Sequence, residues 1–143
     1  MGKTKQEEAR TDHDAETFQI SMAPDAARLP VLRRELDRLA GQLDRDTLEN
    51  LRLLTTELVT NCLIHGRLRE DDRIGVNVTL DPRLVRVDVH DPGPCFAGRP
   101  AAAPLDRATQ WGLVLVDRIA DRWGIVPDQG CRVWFMLGRK HAS

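Results

Sequence analysis

Residues 46–65 (DTLENLRLLTTELVTNCLIH) pose the problem that the rest of the chain has to solve. The spacing predicts one long helix, with Asp46 suited to the N-cap and Gly66 to the C-terminal stop. Leu53, Leu54, Leu58, Val59, Cys62, Leu63 and Ile64 crowd its second half on nearly every side. Such a helix keeps little outer, solvated face. Strands are written in alternating segments. Phe18, Ile20 and Met22 recur at period two within 17–22, as do Ile74, Val76, Val78 and Leu80, and then Val85, Val87 and Val89. Two further strands are expected at 123–126 and 132–137, with turns at 81–83 and 128–130.

Two more helices complete the pattern. From Pro24, Leu29, Leu32, Leu36, Leu39 and Leu43 recur at helical steps, and Pro30 fits the first turn, where its missing N–H costs nothing. Residues 111–122 place Leu113, Val116 and Ile119 on one face. The simplest packing is a two-layer α+β sandwich, one mixed or antiparallel β-sheet with the helices on one face. Residues 1–16 are charged and aperiodic and read as a disordered tail, 17–138 as the domain and 139–143 as a short C-terminal tail. The stretch 91–110 carries Pro92, Gly93, Pro94, Gly98, Pro100 and Pro104 without any period, a length unusual unless the loop is functional, and it reads as a lid.

Composition removes several functions. A chain of 143 residues with 41% hydrophobic content suits one domain. Its 21 Lys and Arg against 22 Asp and Glu give no field to draw it onto nucleic acid or an anionic membrane. No apolar run approaches the roughly 20 residues of a membrane span and the N-terminus is charged, so a cytoplasmic location is expected. Aromatic content of 4% leaves little for base stacking. Cys62, Cys95 and Cys131 are odd in number and widely spaced, so they are expected as reduced thiols.

Three elements carry chemistry. Glu57 and Asn61, four residues apart, leave the same helix face, with His65 one turn further on. Elsewhere that spacing is an ordinary polar stripe; on a helix this apolar it points into a cleft. Carboxylate and amide oxygens suit Mg²⁺, and a Glu beside a phosphate can take a proton from an attacking hydroxyl. The second element, VDVHDPG (87–93), is a strand that stops at Asp91 and turns at Gly93. It is either a plain strand end or a carboxylate offered to an exocyclic amine, with Gly93 admitting a base close to the backbone. Asp88, one alternation earlier, suits a solvent-facing strand position. The third, TQWGLVLV (109–116), opens a helix at Gly112, where unpaired N–H groups favour phosphate unless the glycine merely packs on the sheet.

In this order ELVTNCLIHG (57–66), DPG (91–93), and GLVLV (112–116) ahead of ADRWG (120–124) resemble the histidine-kinase-like ATPase domain of the GHKL superfamily. More narrowly, the chain is similar to its stand-alone branch, typified by bacterial anti-sigma factor serine kinases. The resemblance spans roughly residues 17–138 and implies a Bergerat-type fold holding ATP between the helical layer and the lid loop. It implies that Asn61 holds Mg²⁺ against the phosphates, that Glu57 is the general base and that Asp91 binds the adenine amino group. Gly93 would shape the adenine pocket, and Gly112 and Leu113 would give backbone N–H groups to the phosphates. In that branch the γ-phosphoryl passes to a serine of an anti-anti-sigma (STAS-type) protein, with a sigma factor as the other partner. Direct nucleic-acid or membrane binding is not implied, and a homodimer is left open. One departure matters: where the family motif reads Gly-x-Gly-Leu, Gln110 replaces the first glycine. Its Cβ disfavours positive φ, so the lid would close differently. Gln110 favours an alternative, a non-catalytic module of the same fold that regulates a partner by contact with weak or no turnover; Glu57 together with Asn61 favours the kinase.

Overall fold

The computed structural model describes residues 16–95 and 113–139. Strand β1 (Glu16–Met22) leads into α1 (Leu29–Leu36), which is flanked by 3₁₀ turns at Ala26–Arg28 and Asp37–Leu39; α2 follows at Arg45–His65. Then come β2 (Ile74–Leu80), β3 (Leu84–Asp91), α3 (Val114–Ile119), β4 (Arg122–Pro127) and β5 (Cys131–Gly138). The strands form one sheet in the order β1-β2-β3-β5-β4, and every pairing is antiparallel. The mixed sheet named among the expectations does not form: among the described residues each pair of neighbouring strands runs antiparallel. Residues 1–15, the loop from 96 to 110, and Trp111 and Gly112 fall outside the described residues, as does the tail from 140.

Period-two alternation decides which face of the sheet is covered. Val76 and Val78 of β2, Val85, Val87 and Val89 of β3, and Val133, Phe135 and Leu137 of β5 are buried together with Leu51, Leu54, Leu58 and Val59 of α2. Each such side chain contributes about 1.5–3 kcal/mol when fully withdrawn from water. The opposite face carries Arg86, Asp88 and Trp134. Arg86 donates two 3.0 Å hydrogen bonds to the Asp88 carboxylate, and its guanidinium lies 4.7 Å from the Trp134 ring centre. Asp88 is thereby buried, where a solvated position was expected.

Two local expectations are corrected. The cap of α2 is Asp44, not Asp46: Asp44 has extended backbone, and its carboxylate accepts the Thr47 N–H at 3.1 Å and the Thr47 hydroxyl at 2.6 Å. Asp46 falls in the first turn, where its charge complements the helix dipole. The helix expected from 24 onward divides into α1 and its two 3₁₀ turns; tighter turns at helix ends still keep Leu32, Leu36, Leu39 and Leu43 in the core. Helix α2 ends where expected, at His65 with Gly66 as the C-cap, its N–H bonded to the Cys62 carbonyl oxygen, and the left-handed residue that follows is Arg67, with φ 51°.

Candidate functional site

The C-terminal ends of α2 and β3 meet, and their meeting makes a cleft. Strand β3 stops because Asp91 turns its own carboxylate back on the chain: Oδ1 accepts the Gly93 N–H at 2.7 Å, a buried bond. Gly93 then lies against the last turn of α2, so close that a Cβ there would fall 2.0 Å from the Gly66 carbonyl oxygen. Sequence reasoning gave Gly93 to an incoming base. The structure gives it first to the helix end, and the space beside Asp91 follows from that contact.

The cleft is lined by Leu58, Asn61, Cys62, His65 and Gly66 of α2, by Asp91 and Pro94, and by Cys131 and Val133 of β5. Asp91 is 5% exposed. Burial raises its carboxyl above the ordinary carboxylate range, opposed by hydrogen bonds from the Cys62 thiol and the Gly93 N–H and by the nearby His90. The Cys62 thiol is pushed up by burial and by the adjoining Asp91 carboxylate, and so stays protonated. The Asn61 amide nitrogen is buried without a hydrogen-bond partner among the described residues. A buried amide left unpaired costs about 1–3 kcal/mol, so this group is not spent on holding the fold together.

Asn61 and Asp91 are thus brought together. Glu57 is not part of the cleft wall; it is half-buried, one turn before Asn61 on α2. This helix keeps more of an outer face than its composition suggests, with Leu53 41% and Ile64 65% exposed. Leu113 is buried in the core immediately before α3, and Gly112 lies outside the described residues. The sequence gave no signal for Cys131, because only the β3–β5 register, which sets it opposite Asp91, brings it to the cleft.

Cysteine chemistry also differs from expectation. Cys95 and Cys131 are joined in a disulfide, with Cα atoms 4.7 Å apart, and only Cys62 is a free thiol. A separation of 36 residues hides a pair that the strand register and the turn after Asp91 make adjacent. Among the described residues no helix is long and apolar enough to cross a membrane.

A two-layer α+β domain with a buried carboxylate and an uncommitted amide on one cleft defines a class of ligand-binding domain. The chain belongs to the histidine kinase-like ATPase domain family, whose model matches residues 22–136. Among solved structures, the RsbU and RsbW domains of Rv1364c from Mycobacterium tuberculosis match with a TM-score of 0.63 and 20% identity over 87% of this chain. The chain spans 32% of that one, and at this identity the likeness is one of fold. A search of curated proteins finds no match to the chain.

Proposed function

We propose that this domain binds ATP with Mg²⁺ in the cleft and transfers the γ-phosphoryl to a serine of an anti-anti-sigma (STAS-type) protein, in a circuit that includes a sigma factor. The observation that carries this reading is the meeting of Asn61 and Asp91, distant in the chain, on one cleft. The Gly93 N–H and the Cys62 thiol occupy part of the Asp91 carboxylate, whose remaining lone pairs can accept the exocyclic amine of adenine. Among the described residues no group of three or more His, Cys, Asp or Glu side chains could hold a metal alone. A single amide oxygen, supplemented by phosphate oxygens and water, nevertheless suits Mg²⁺, and Asn61 would provide it. When bound, the ion neutralises charge on the phosphates. Glu57, outside the cleft wall and one turn from Asn61, is where a hydroxyl presented by another protein can lose its proton during transfer. Gly112 and Leu113 complete the proposal as backbone donors to the phosphates. A solved neighbour in which RsbU and RsbW domains occur together supports a setting among protein partners.

Gln110 favours a second reading, a contact regulator with little or no turnover. Calorimetric titration with ATP and MgCl₂ tests the first step, with saturable binding expected. No heat and no thermal shift would remove the nucleotide reading. Binding without phosphate transfer to a cognate partner would support the second.

A further inference from the structure

We propose that Cys95 and Cys131 form a reversible thiol–disulfide site that sets whether the cleft admits its ligand; this rests on the reading of the cleft as an ATP site. Cys131 is the register partner of Asp91 across β3 and β5, and it lines the cleft together with Pro94, the residue before Cys95. The disulfide therefore ties the segment after Asp91 across the end of the sheet, with Pro94 fixed in the cleft wall. Cys95 Sγ rests 3.9 Å from the Val126 carbonyl oxygen and 4.0 Å from that of Gly130, against the β4–β5 hairpin. The Gly93–Asp91 hydrogen bond holds the first half of this segment and the disulfide holds the second. With the bond closed the enclosed part of the cleft measures about 20 Å³, room for a water molecule, and the rest of the recess is open to solvent. Opening the bond frees Pro94 to move off the wall while Asp91 and Asn61 stay anchored on β3 and α2.

The exposures of the two sulfurs suit such a cycle. Cys131 is buried and Cys95 is partly exposed, so a reagent from solution meets Cys95 first. A peroxide is the oxidant: the Cys95 thiolate attacks one peroxide oxygen, the O–O bond breaks, and a sulfenic acid and an alcohol or water result. The Cys131 sulfur then attacks the sulfenic sulfur, forming S–S and releasing water, so two thiols lose two electrons and two protons to one peroxide. A dithiol reverses the step: one thiolate opens the disulfide at Cys95, and its second sulfur closes the reductant into a ring, leaving two protein thiols.

The test measures ATP affinity, with MgCl₂, of the full chain after hydrogen peroxide and after dithiothreitol, alongside a non-reducing peptide map. The expected result is a linked 95–131 peptide only after peroxide, with ATP bound at least about tenfold more tightly by the reduced protein, as when the competent state falls below a tenth. C95S should bind as the reduced protein does in both buffers; the reduced wild type makes the same comparison without a substitution. Equal affinities across a confirmed change of linkage overturn the switch and leave the ATP site standing. A linkage through Cys62, or none, overturns the assignment of the pair. Binding in neither state overturns the ATP reading, and the switch with it.

Discussion

Gly93→Ala tests the contact on which the cleft is built. A methyl group at 93 would sit 2.0 Å from the Gly66 carbonyl oxygen and 3.0 Å from both the Gly66 carbonyl carbon and Asp91 Oδ1. Real Cβ contacts stay above 3.0 Å, so the ends of α2 and β3 must part by about 1 Å. The opposing atoms belong to the backbone, and no rotamer change relieves them. Overpacking of this kind costs about 1–3 kcal/mol. Displacing Gly93 also endangers its buried hydrogen bond to Asp91, a loss of about 1–3 kcal/mol. Together these predict a destabilisation of about 2–6 kcal/mol against a total of roughly 5–15 kcal/mol. For a domain of this size that lowers Tm by roughly 8–20 °C. Urea unfolding followed by tryptophan fluorescence reads the effect, with Gly41→Ala as control, since nothing lies within 4 Å of a Cβ there. A midpoint for Gly93→Ala equal to that of Gly41→Ala would refute the account of how the helix end seats the strand end.

Asp91→Asn keeps an acceptor for the Gly93 N–H but removes a carboxyl that burial raises above its ordinary range. The folded protein holds that proton to higher pH than the unfolded chain, so this group's contribution to stability declines as pH rises from the unfolded carboxyl value through the raised folded one. The variant should therefore gain stability over wild type toward neutral pH, a gain that vanishes in acid. Its ATP affinity should fall about 10- to 100-fold, the worth of one charge-assisted hydrogen bond, and unchanged affinity by calorimetry would sink the adenine role. Glu57→Ala should lower phosphate transfer by about 10²–10⁴-fold while ATP binding stays within about threefold; normal transfer to a genuine partner would remove Glu57 as base. Reduction of the Cys95–Cys131 bond should lower stability by about 3–4 kcal/mol on chain entropy for a separation of 36 residues, read as a drop in the urea midpoint.

Much of the fold was legible because periodicity is local. The alternation in 74–80 and 85–89 marked the two strands and the face they bury, and the helical run of 46–65 marked α2. The family motifs were legible too, since Glu57, Asn61, Asp91 and Gly93 keep their order and spacing whatever the fold does with them. Exact ends were not. Asp44 and Asp46 offer the same side chain to a helix start, and only the backbone geometry at residue 44 chooses between them.

Helices, strands and the chemical character of the candidate residues were determined by the sequence alone, because propensity, period and capping act within a few residues. Tertiary structure alone decided that Gly93 seats on Gly66, that Asn61 shares a cleft with Asp91 while Glu57 stands outside its wall, and that Cys95 meets Cys131. Each of these depends on strand register and on how a helix end meets a sheet, and such contacts between distant residues leave no periodic trace in the chain that makes them.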